Sequence, residues 1–174
     1  AFILGVVGAG VFGDSRVGLL LYLTHALASL VVGLLFRFYG GSERSRSPRP
    51  QPKPIQAVTI PAAFTGAVTR SLQSTLNICA FVVFFAVVLQ LMSACGVFTL
   101  LANLLSLAGF QPEWARRLVA GLLELSSGVS SLQGSTQLAG RVSMAAFMLG
   151  WAGLSVHCQV LSFLVDSGLS ARTY

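Results

Sequence analysis

The sequence predicts an all-α membrane protein: a multi-span helical bundle with broken or re-entrant helices, forming part of an inverted-repeat transporter. The first reason is composition. Of the 174 residues, 55% are hydrophobic and 9% charged, with a mean hydropathy of +0.80, whereas a soluble domain carries roughly a quarter charged residues. The second is that apolar runs of helical length recur along the chain. The third is that two late runs are interrupted by serine, glycine and glutamine within an otherwise hydrophobic protein.

Residues 1–12 read as the end of a hydrophobic element, closed by Gly13-Asp14-Ser15-Arg16. Residues 17–36 then supply an uncharged run that, at 1.5 Å per residue, spans a bilayer core of about 30 Å. The chain has no initiator Met and opens inside an apolar run, so residue 1 is expected to be an internal position of a longer protein.

Residues 37–54 hold Arg37, Arg44, Arg46, Arg49 and Lys53 against a single Glu43, with prolines at 48, 50, 52 and 54. Proline at every second position is incompatible with helix, so this is a solvated linker. Its basic excess beside a span places it on the cytoplasmic side. Most of the net charge of +6 therefore marks topology. A nucleic-acid interface would need readers between basic residues on a folded face, and the twelve phenylalanines fall in apolar runs instead.

From Ile60 the pattern turns helical, with Thr65, Thr69, Arg70, Gln73 and Ser74 suiting an interfacial helix that leads into the apolar run 78–89. Residues 97–108 are too short to cross unaided, and Gly109-Phe110-Gln111-Pro112 stops them. An apolar helix over 118–125 runs into the first polar interruption, 126–137. Helix resumes through Met144 to Trp151, a second interruption covers 150–159, and a last apolar run follows.

An internal repeat supports pairing the broken elements. Residues 1–11 lie on residues 146–156 without gaps, with six identities: Ala, Phe, Leu, Gly, Gly and Val. Matching half-helices in the two repeats are the mark of inverted-repeat transporters. The chain then holds the end of a first repeat (1–36), the linker (37–54) and a second repeat (55–174).

Irregular backbone survives at membrane depth only when buried in protein or lining a wet cavity. The candidate solute-binding residues are therefore Ser126, Ser127, Gly128, Gln133, Ser135, Thr136, Arg141, Ser155, His157 and Gln159. Half-helix N-termini favour anionic groups and C-termini favour cations; serine and glycine also serve simply to pack membrane helices. Glu124, at the end of an apolar helix beside the first break, is the candidate for a coupling H⁺ or Na⁺, its alternative being a structural ion pair. Arg141 faces either a solute carboxylate or the interface by snorkelling. His157 is a site group or a hydrogen-bonded structural histidine.

No metal, cofactor or enzymatic chemistry is expected. Cys79, Cys95 and Cys158 lack paired spacing, His25 and His157 form no ligand pair, and no GxSxG elbow or serine–lysine arrangement accompanies the serines.

The segments Glu124-Leu125-Ser126-Ser127-Gly128 and Gly150-Trp151-Ala152-Gly153-Leu154-Ser155-Val156-His157-Cys158-Gln159 resemble the YlbJ (SpoVV) family of sporulation integral membrane proteins. The resemblance extends in general character over nearly the whole chain and includes the nucleoside-recognition, or Gate, type of domain. It implies a transporter of endospore formation in the outer forespore membrane, with dipicolinic acid as its small anionic solute. It also implies a protein roughly twice this length. The competing readings are a non-transporting scaffold for spore-envelope assembly and a nucleoside carrier of the same architecture.

Overall fold

The computed structural model describes residues 2–38, 59–134 and 137–167, all helical or in short connections. Most of the basic linker, from residue 39 on, and the candidates Ser135 and Thr136 lie outside the described residues.

The chain begins with a π-helix, Phe2–Phe12, and turns at Gly13, whose φ of 68° is left-handed. Asp14 then starts α1 (Ser15–Phe38) by accepting the Arg16 backbone N–H at 2.8 Å, the usual work of a short acidic side chain at a helix start. The π-helix and α1 meet through glycine. A Cβ on Gly8 would stand 2.6 Å from the Gly18 Cα, so the two backbones touch where any side chain would hold them apart.

Next come α2 (Ile60–Ala94), α3 (Val97–Leu107) and α4 (Pro112–Leu123). The interfacial segment expected at the start of α2 is continuous with its span, giving one helix of 35 residues. Gly96 (φ 75°) separates α2 from α3. Pro112 occupies the first turn of α4, where its missing N–H costs nothing.

The remaining helices are α5 (Leu125–Ser130), α6 (Leu138–Trp151) and α7 (Gly153–Ser167). Three described stretches are long and apolar enough to cross a membrane: Ser15–Phe38, Ile60–Ala94 and, with α6 and α7 taken together, Leu138–Leu164. This is an all-α membrane protein. The first two stretches are only 6% buried. Apart from the buried Leu21 and Phe85, most of their leucines, valines and phenylalanines face outward, a surface that suits lipid rather than water.

The core lies among the short elements. Val7 and Val11 of the π-helix and Leu21 of α1 pack against Val129 and Leu132 at the end of α5 and against Ala145, Met148 and Leu149 of α6. The last part of the chain, with both interruptions, is thereby docked onto the first.

Candidate functional site

Both interruptions occupy narrower stretches of backbone than the sequence suggests. The first begins at Glu124, whose extended backbone (φ −141°, ψ 120°) ends α4 and starts α5. Ser126 and Ser127 are the first turn of a helix, not loop, and the reason is local. The Glu124 carboxylate accepts both of their backbone N–H groups, Ser126 to Oε1 at 2.8 Å and Ser127 to Oε2 at 2.6 Å, satisfying donors that have no intrahelical acceptor. Among the described residues, the open stretch of the first interruption is confined to the turn after Ser130, before α6 resumes at Leu138.

α5 doubles back sharply on α4. Gly128 lies so close to Gly121 that a Cβ would collide with the Gly121 Cα, and a Cβ on Gly121 would in turn stand 2.6 Å from the Met148 Cγ of α6. Glu124 is the tip of this hairpin and is 1% exposed.

The second interruption is a single hinge. α6 ends with Ala152 in the left-handed region (φ 70°) and Gly153 follows at φ 75°, after which α7 continues without a break through 159. The hinge and the hairpin tip meet. A Cβ on Gly153 would lie 2.9 Å from the Leu125 N and 3.3 Å from the Gly121 O. Trp151 secures the junction by donating its indole N–H to the Leu122 carbonyl at 3.2 Å, one of the last-turn carbonyls of α4 that lack an intrahelical donor. Its ring also makes an edge contact with His157, centroids 4.9 Å apart.

Glu124, Ser126, Ser127 and Gly128 are thus gathered at one junction with Trp151 and Gly153. Ser155, fully buried, and Gln159, 8% exposed, follow within the first two turns of α7. Spaced by four residues, they share one face of that helix. The Ser155 hydroxyl has no hydrogen-bond partner among the described residues.

Gln133 and Arg141 are placed elsewhere. The Gln133 side-chain amide donates to the Gly10 carbonyl at 3.2 Å. Arg141 donates Nε–H to the Leu132 carbonyl at 2.6 Å and Nη2–H to the Val11 carbonyl at 3.2 Å, with its guanidinium 5.0 Å from the Phe12 ring centroid. The two carbonyls stand at the C-terminal ends of α5 and the π-helix, where a cation is favoured. Arg141 holds two helix ends together, a role distinct from snorkelling.

No cationic side chain pairs with Glu124 among the described residues, where the ion pair formed is Arg117 with Glu113. Arg117 also lies 5.0 Å from the Trp114 ring centroid. Nor do three His, Cys, Asp or Glu side chains gather anywhere among those residues as a metal site would require.

Gly121 escaped the sequence reading, while Trp151 and Gly153 fall inside the interruption expected at 150–159 without being singled out as site residues. The glycine pair 121 and 128, seven residues apart around a carboxylate, was the available signal for the hairpin. The Ala152-Gly153 step was the signal for the hinge.

No family model and no solved structure matches the chain. Among curated proteins it matches the sporulation integral membrane protein YlbJ of Bacillus subtilis (strain 168), with 30% identity over an alignment of 197 positions that covers 99% of this chain and 48% of that protein. The chain spans about half the length of this relative.

Proposed function

This chain belongs to the family of YlbJ, the sporulation integral membrane protein, and on that premise we propose that it forms part of a transporter acting in endospore formation. The transporter moves a small anionic solute, dipicolinic acid, across the outer forespore membrane, coupled to H⁺ or Na⁺, with no catalytic step. The fold is read as a Gate-type inverted repeat, of which the described helices supply one broken-helix assembly.

The observation that carries the proposal is the meeting of two helix interruptions around a buried carboxylate. A structural bundle has no need of a hairpin tip resting on a hinge within a segment long enough to cross the membrane. Such breaks leave unpaired backbone groups in a medium where they are costly, and transporters use them to hold solute and ion. Among the described residues, Glu124 is the acidic side chain buried there. Among the described residues its carboxylate is held by two backbone amides and by no cationic partner, the setting in which a coupling ion can come and go without dismantling an ion pair.

The test is uptake of labelled dipicolinate by sealed vesicles carrying the full-length protein. Concentrative uptake that depends on a proton or sodium gradient supports the proposal. Absence of uptake above empty vesicles under either gradient refutes it.

A further inference from the structure

Resting on the transport reading, the structure assigns the solute's carboxylate to the first turn of α7, where the Ser155 hydroxyl and the backbone N–H groups of Gly153, Leu154 and Ser155 form the receiving face.

Four observations lead there. First, α7 is a helix of 15 residues. Its first-turn N–H groups have no acceptor inside the helix, and its N-terminus carries partial positive charge. Second, the Ser155 hydroxyl is fully buried and without a hydrogen-bond partner among the described residues. A buried hydroxyl left unpaired is unfavourable in any protein interior and more so within a membrane. As the third residue of α7, its side chain leans back toward the helix start. Third, Ala152 and Gly153 bring no side chain larger than a methyl to the approach, and Gly153 packs backbone to backbone against Leu125. Fourth, two arginines of the packed region are committed elsewhere: Arg141 to the Leu132 and Val11 carbonyls, and Arg117 to Glu113. An anion at this junction is received by dipoles and a hydroxyl.

Glu124 fits the same scheme. The start of α7 rests on the start of α5, so two positive helix ends share one place, and one negative group is already built in. The Glu124 carboxylate is turned to the Ser126 and Ser127 amides and leaves the α7 end for the second. Gln159, one turn beyond Ser155 on the same buried face, lies next along the path for the remainder of the solute.

The experiment uses the full-length protein in lipid nanodiscs, titrated with pyridine-2,6-dicarboxylate and, separately, with its dimethyl ester, following the thermal midpoint. The expected results are a midpoint raised by the dicarboxylate and not by the ester, and about tenfold weaker binding in Ser155→Ala, the effect of one lost hydrogen bond to a charged group. The ligand-free variant should melt at or above the wild-type midpoint, because the substitution removes an unpaired buried polar group. Wild-type affinity in Ser155→Ala, equal binding of the ester, or absence of dicarboxylate binding overturns the assignment. So does a lower ligand-free midpoint in the variant, which would show that the hydroxyl serves the fold. Uptake by vesicles separates this from the broader reading. If the wild-type protein takes up dipicolinate and Ser155→Ala does so with unchanged KM, the assignment falls and transport stands; if neither protein transports, the transport reading falls.

Discussion

Gly153 and Leu125 are in backbone contact: a methyl group on the first would stand 2.9 Å from the amide nitrogen of the second. The start of α7 therefore bears directly on the start of α5, and the two interruptions are one structural unit.

Gly153→Ala is expected to destabilise that unit. Its φ of 75° is strained for any residue with a Cβ, and the added methyl meets backbone rather than a yielding side chain. A loss of about 1–3 kcal/mol follows, read as a lower thermal midpoint in detergent. Gly33→Ala, where a Cβ meets nothing within 4 Å, is the control and should leave the midpoint within the usual scatter of surface substitutions.

Glu124→Gln keeps the shape of the hairpin tip and removes its charge. The protein should still insert and fold, with a loss of about 1 kcal/mol for a weaker cap. Uptake should lose its dependence on the coupling gradient. Wild-type rate and gradient dependence in the variant would mean that Glu124 serves only as the cap of α5.

Arg141 should prove structural. Arg141→Met breaks charge-assisted bonds to the Leu132 and Val11 carbonyls and should cost about 1.5–3 kcal/mol. The readout is faster hydrogen exchange in the π-helix, measured by mass spectrometry. Arg141→Lys should recover only part of the protection, since an ammonium lacks the planar fork that reaches two carbonyls at once. Unchanged exchange with impaired uptake would instead return Arg141 to the solute.

Orientation can be tested by labelling. Cysteines introduced singly between residues 44 and 53 should react with an impermeant thiol reagent only from the cytoplasmic side, because of the local basic excess. Reaction from the opposite face alone would invert the topology.

Much of this architecture can be read from the sequence because hydropathy reports burial in lipid directly. The runs around α1 and α2, the stop at Gly13 and the short α3 all follow from apolar length and glycine placement. The extents of the two interruptions do not. Ser126 and Ser127 look like loop residues by type, and only the Glu124 carboxylate, folded over their amides, makes them helical. Residues 154–159 look interrupted because Ser155, His157 and Gln159 are polar, yet the backbone bends only at Ala152 and Gly153. Polarity in a membrane sequence marks where something must be satisfied, whereas backbone angle is set by the few residues at a hinge. The partners of Arg141 were equally hidden, since backbone carbonyls 9 and 130 residues away leave no trace in local spacing.

The contrast between the two long, outward-facing helices and the short, packed ones bears on how the protein is made. α1 and α2 are long enough to partition into a bilayer from an insertion machinery one at a time, each with all its backbone bonds internal and almost none of its surface owed to a neighbour. The π-helix, α3, α4 and α5 are too short to do so alone, and close glycine contacts pack the π-helix on α1, α5 on α4, α4 on Met148 of α6 and the start of α7 on α5. Biogenesis therefore divides in two: autonomous insertion of the long helices comes first, and the hairpin and hinge assemble afterwards, inside the lipid, against a scaffold already in place.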